Sequence, residues 1–251
     1  MTLPRSKVIV SLMILLAINF PIMGCVPSNV ILNLPDKQFT SSKKTFLVAG
    51  FKDVKDRRPE DEKEHDDHYE VHPVQSINNK IHRDLKMSGL FADVLVENFE
   101  YDNVEVILEP YIEHFHYDLS LNGYTASYLI IALTGMPGLL YAVCGGPSAS
   151  HVAEAEVGIV MSDKAGSVIA KGIGKASEWK ARNLYNAQSE GIGNLDGRML
   201  TEATYEMLST LTNNINVDDL LNIKQAKLSG CRYDGDCKGN RICVKGICTN
   251  A

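Results

Sequence analysis

From Leu119 to Ala153 the chain runs 35 residues without an Asp, Glu, Lys or Arg. A stretch of this kind has to be covered, by the domain's own core, by a partner or by lipid, because contiguous exposed apolar surface marks binding sites. At its centre, Tyr124 to Val143 just reaches the roughly 20 residues that span a bilayer as a helix. Gly135, Pro137 and Gly138 fall at the midpoint, where they break or kink a helix, so two short apolar elements joined there are expected. Three readings stay open, in descending order: a loop buried in the domain, a subunit interface covered by a partner, and a membrane-inserting hairpin. On the interface reading Tyr128, Leu133, Met136 and Leu139 are the candidate contacts, joined by Trp179, the chain's single Trp, which sits among Ser177, Glu178, Lys180 and Arg182. A Trp capping the edge of the core is an equal alternative.

The first residues carry a second apolar run. Arg5 and Lys7 precede an uncharged stretch from Val8 to Met23, then Gly24 and Cys25, the basic, apolar and small-residue order of an export signal. The run is too short to span as a helix, which favours cleavage over a permanent anchor. Ile22-Met23-Gly24-Cys25 resembles the lipobox of bacterial lipoproteins, in which the Cys receives a diacylglycerol and becomes the new N-terminus. The resemblance implies lipidation of Cys25, and Val26 after it, not being Asp, leaves the protein free to reach the outer membrane, facing the periplasm. Each buried methylene adds about 0.8 kcal/mol of membrane affinity, so two or three acyl chains hold a soluble domain to a surface.

From Cys25 onward 227 residues remain, enough for one large domain with appendages. The whole chain has 25 basic and 31 acidic residues, a net charge of −6, which argues against a nucleic-acid footprint. Four of the six cysteines, Cys231, Cys237, Cys243 and Cys248, crowd into the last 21 residues beside several Gly and little apolar material. In an exported chain this is a disulfide framework; the close Cys-x2-4-Cys pairs of a zinc site are missing. Four cysteines allow three pairings. The stretch 231–248 resembles small cysteine-rich, growth-factor-like knots, and that likeness implies Cys231 with Cys243 and Cys237 with Cys248. Cys144 is read as a buried, inert thiol.

The expected organisation is a signal peptide over 1–24, a polar, Pro- and Ser-bearing tether over 25–44, a domain over 45–222 with the apolar insertion 124–147, and the Cys-rich knot over 231–248. Within the domain, Thr45 to Phe51 reads as a buried strand and Lys52 to His72 as a solvated charged loop. Ile77, Ile81 and Leu85 repeat at helical spacing ahead of Gly89. Leu90 to Val96 and Val104 to Leu121 read as strands. Ala153 to Met161 and Ser167 to Trp179 form a hairpin about a turn ending in Gly166, and Asp196 to Ile215 is an amphipathic helix. The order implies an α+β fold, a mostly antiparallel sheet with two helices on one face.

Gly50-Phe-Lys-Asp53, Leu85-x3-Gly-Leu-Phe-x2-Val94 and Leu108-Glu-Pro-Tyr-Ile112 resemble the envelope lipoproteins related to the curli secretion channel and to the amino-terminal domain of the Tol-system propeller protein. That resemblance covers about residues 45 to 216. It implies a fold and a role in the envelope. With the lipid, the apolar segment and no catalytic set, the expected function is a non-enzymatic assembly, secretion or transport accessory, held to the membrane through its lipid and acting as a homo-oligomer or within an envelope complex.

The alternative is a periplasmic module for a metal or small ligand, built on the acidic loop 60–72 with His65, His68 and His72 as ligands and Asp66 and Asp67 adding oxygens. A solvated charged loop is favoured over it. His114 and His116 share one face of a strand, with Glu113 and Phe115 on the other. Around them there is no nucleophile turn, zinc helix or phosphate loop, so neither catalysis nor a cofactor is expected.

Overall fold

The computed structural model describes residues 30–64, 66–96, 100, 103–120, 149–182, 189–216, 220, 241–244 and 247–250. Strand β1 (Val48–Phe51) is followed by the two-residue β2 (Lys55–Asp56), a single-turn helix α1 (Glu60–Lys63) and a 3-10 turn at Asp66–His68. Helix α2 (Pro73–Met87), β3 (Asp93–Val96) and three long strands come next: β4 (Val106–Ser120), β5 (Ala149–Asp163) and β6 (Val168–Arg182). Helix α3 (Ser189–Asn214) closes the domain, and β7 (Arg241–Val244) with β8 (Ile247–Asn250) forms a separate hairpin.

The sheet runs β3-β1-β4-β5-β6, with β2 also on β4. It is mixed, which corrects the expectation of a mostly antiparallel sheet. β1 pairs in parallel with β3 and with β4, and β2 in parallel with β4, while β4-β5 and β5-β6 are antiparallel. The reason lies in the connections. Between β1 and β3 the chain makes a helical crossover through α2, and a crossover returns the strand in the same direction, whereas the turn at Ser162 to Gly166 reverses it.

Helix α2 forms because Ile77, Ile81 and Leu85 make one buried stripe. Pro73 stands at its first position, where a missing N–H removes no bond, and His72 caps it, its Nδ1 accepting from the Val74 N–H at 3.3 Å. It ends at Ser88 and Gly89, the latter at φ +70°. In α3 the stripe is Ile192, Leu195, Met199, Leu200, Ala203, Met207, Leu208 and Leu211, all buried. Both stripes belong to one core with Phe51, Leu108, Ile112, Val157 and Ile159 from the sheet. Helix α3 lies close on β6 because Gly174 has no side chain there. A Cβ on it would meet the Ala203 carbonyl at 1.9 Å.

A bulge in β4 decides which side chains of its second half turn inward. The register to β5 shifts between Ile112 and His114, and the extra residue, Glu113, exchanges the two faces. Val106, Leu108 and Ile112 point into the core before it, and Phe115 and Tyr117 after it. His114 and His116 therefore share the opposite face, as expected, with Phe115 turned inward.

Two expectations about loops are corrected. The segment read as a tether is, from Val30 to Lys44, a strap lying along α3. Val30 and Phe39 are buried, the Val30 N–H donates to the His68 carbonyl and the Glu70 N–H donates back to the Val30 carbonyl. Further along, Lys37 pairs with Glu202, Phe39 meets Tyr205 edge-on, and Lys43 donates to the Asn213 and Ile215 carbonyls. Apolar residues hidden among Pro and Ser turn a linker composition into a packed edge. The stretch 52–72, read as solvated, is organised around a fully buried cation, Arg58.

Candidate functional site: a buried polar pin at one end of the sheet

Three elements meet where β4 ends and β5 begins. Asp196, in the second turn of α3, is wholly buried. Its Oδ1 lies 3.1 Å from Nε2 of His151 on β5, equally buried, and its Oδ2 accepts from the Tyr69 hydroxyl at 2.9 Å. Tyr117 on β4 packs edge-on against both the His151 and the Tyr69 rings, and Phe115 packs on Tyr69. Both carboxylate oxygens of Asp196 are committed, as buried polar atoms require. Burial, reinforced by the nearby Asp196 charge, raises the Tyr69 pKa far above its ordinary value, and the same two causes push Tyr117 up to about 12. The Tyr69 proton is thus fixed as a donor, and the cluster works as a pin through α3, β5 and the segment after the 3-10 turn.

A second network adjoins it. Arg58 donates from Nη1 and Nη2 to the two oxygens of Asp66, at 2.9 and 2.6 Å, and from Nε and Nη2 to Asp56, at 2.9 and 2.8 Å. Burial alone would lower the Arg58 pKa; the hydrogen bonds and charges of Asp66 and Asp56 outweigh it and raise it. This bidentate geometry is what allows a guanidinium inside a fold. His72 adds its Nε2 at 3.0 Å from Asp66. The two networks share the 3-10 turn: Asp66 starts it and Tyr69 comes directly after it. Val30 bonds at the same place, through His68 and Glu70. Glu62 of α1 closes the side, at 2.9 Å from His114 Nδ1 and accepting from the Phe115 N–H at 2.9 Å.

Of the proposed metal ligands, His65 lies outside the described residues, His68 is partly buried, and His72 has both ring nitrogens engaged, one with the Val74 N–H and one with Asp66. Among the described residues no three His, Cys, Asp or Glu come together as a metal-binding group. Cys25, Tyr128, Leu133, Met136, Leu139, Cys144, Cys231 and Cys237 lie outside the described residues. Cys243 and Cys248 are direct cross-strand partners in the β7-β8 hairpin. Trp179 sits on β6 opposite Val152, 63% exposed, one of the most exposed large apolar residues described.

Sequence reasoning misses the pin, although a signal is present. Asp196 is four residues before Leu200 on the apolar stripe of α3, and His151 falls in step with inward-facing Ala153, Ala155 and Val157. A polar residue in phase with a buried face needs a partner, and these two supply one another. Arg58 carries no such signal, because its loop has no period.

Among the described residues no helix is long and apolar enough to cross a membrane. No protein-family model matches the chain, and no curated protein matches it in sequence. Among solved structures it is similar to a Xanthomonas campestris protein of the DUF330 family, at 10% identity and TM-score 0.41, covering 76% of this chain and 97% of that one. A PelC dodecamer from Paraburkholderia phytofirmans gives 13% identity and TM-score 0.40, over 70% and 96%. A minor lipoprotein from Acinetobacter baumannii gives 10% identity and TM-score 0.35, over 70% and 95%. Likenesses of this size assign neither a fold family nor a function.

Proposed function

We propose that this chain is a lipid-anchored envelope protein, held through Cys25, that acts as a non-enzymatic component in assembly, secretion or transport by associating with itself or with another envelope complex. The observation that carries the reading is the sequence Ile22-Met23-Gly24-Cys25, standing five residues before Val30, where the chain is already bonded into the domain. An acylated Cys25 gives the domain a membrane address without a spanning helix. The charge-free stretch Leu119 to Ala153, with Tyr128, Leu133, Met136 and Leu139, supplies the contact surface, and Trp179 stands beside the start of β5, where the stretch re-enters the sheet. The outer membrane, facing the periplasm, is the location this reading favours, and the four tail cysteines form its disulfide framework.

Light scattering in mild detergent tests it. The full lipoprotein is expected as a discrete oligomer that falls to monomer when Tyr124 to Pro147 are deleted, with the far-ultraviolet spectrum retained. A monomeric intact protein contradicts association with itself. An unfolded deletion variant returns the segment to the core.

A further inference from the structure

The anchor, the charge-free stretch and the exposed Trp all attach to the same end of the sheet. The chain between Cys25 and Val30 spans at most about 18 Å when fully extended. Val30 is bonded on both sides to the segment of His68 and Glu70, next to Tyr69, which reaches Tyr117 of β4 and, through Asp196, His151 of β5. Leu119 pairs with His151, and one step further Ser120 pairs with Ser150; there the charge-free stretch leaves β4 and re-enters on β5. His151 pairs on its other side with Lys180, and Val152 with Trp179. The opposite end carries the Ser162 to Gly166 turn, with the exposed Lys164 at its tip. Nearly the full length of β5 separates the two ends.

We infer that this end of the domain, the one bearing Val30, Tyr117, His151 and Trp179, is apposed to the bilayer, with Trp179 seated in the lipid interface. The inference rests on acylation of Cys25. A linker of four residues, Val26 to Asn29, gives the domain little freedom to turn its other end to the membrane, because the strap after it is bonded into the fold and adds no slack. Trp179 and Lys180 are neighbours on the edge strand, both exposed. Successive strand residues point to opposite faces, so an indole at headgroup level on one face and a Lys that reaches toward phosphate on the other are both residue types that membrane interfaces favour.

Trp179 is the chain's single Trp, so its native fluorescence is the probe. The acylated protein is reconstituted into phosphatidylethanolamine and phosphatidylglycerol vesicles, with and without brominated acyl chains. The far end is read in a Trp179→Phe, Lys164→Trp variant. Emission from Trp179 is expected to shift to the blue and to fall by about half or more with brominated lipid, consistent with insertion of roughly 5–10 Å, while emission from position 164 stays unchanged. Unquenched Trp179 in protein that carries lipid by mass, or equal quenching at both positions, overturns the inference and leaves the lipoprotein reading standing. A protein whose mass shows no lipid removes both.

Discussion

The two ends of the long β4-β5-β6 sheet are closed by different physics. At one end five residues reverse the chain: the Ser167 N–H donates to Asp163 Oδ1 at 2.8 Å, the Asp163 N–H donates to the Ser167 carbonyl, and Gly166 takes φ +85°. Every group involved is near in sequence and in contact with water. At the other end the ties reach across the chain. Tyr69 bonds to Asp196 and Asp196 to His151, inside the fold, and the strap from Val30 packs over them. A solvated turn tolerates the loss of a bond, since water replaces it. A buried pin does not, because water does not reach the groups left behind to replace the lost bond.

The contrast between the ends breaks most sharply at Asp196. Asp196→Ala removes the acceptor that buried His151 and Tyr69 share, and urea unfolding should show a loss of about 2–6 kcal/mol, roughly 1–3 for each group; Asp196→Asn, which keeps an oxygen, should lose less. The strap comes next. A Cβ at Gly193 would meet the Ile31 carbonyl at 1.9 Å, so Gly193→Val must push the strap off α3, at a loss of about 1–3 kcal/mol. At the turn end, Gly166→Ala meets nothing within 4 Å and suffers only the left-handed backbone penalty, about 1–2 kcal/mol. A Gly166 variant more damaging than the Asp196 variant would invert the contrast.

The smallest effect sharpens it by pH. His114 is half-exposed, and its hydrogen bond to Glu62 raises its pKa above the usual value near 6.5, against a weaker opposing effect of burial and with help from the charges of Glu62, Glu156 and Glu113. A raised folded-state pKa means stabilisation that is fully present below the unfolded value and is lost as pH rises through the folded one. His114→Gln should therefore lower the melting temperature slightly at pH 5.5 and leave it unchanged at pH 8.5.

Legibility in the sequence divides along the same line. The strand pair about Gly166 and helix α2 stand within a few residues of their expected places, because each has a local period or a turn residue that announces it; helix α3 ends within a residue of its expected bound but begins at Ser189, seven residues before Asp196, where the apolar stripe gives less signal. The parallel pairing of β1 is not legible, since direction depends on how a crossover packs rather than on any one residue. Neither is the strap: Val30 and Phe39 are isolated apolar residues in a polar stretch, and only α3 and the 3-10 turn give them a place to bury. The pin is half legible, as two polar residues in phase with buried faces, but their meeting is a tertiary fact separated by 45 residues of chain.

The orientation inferred for the domain depends on the proposed acylation of Cys25 and on the short link from it to a strap that belongs to the fold. Native-state hydrogen exchange read by mass spectrometry over residues 30–44, compared with β4 and β5, tests this most directly. The amides of Val30 and Asn33, bonded to the His68 and Gly193 carbonyls, are predicted to exchange slowly, and the Asp196→Ala variant to release them before it releases the sheet. Exchange of the whole 30–44 stretch at the rate of an unstructured chain, with β4 and β5 still protected, would make it the loose tether its composition suggests and would free the domain from any fixed face toward the membrane.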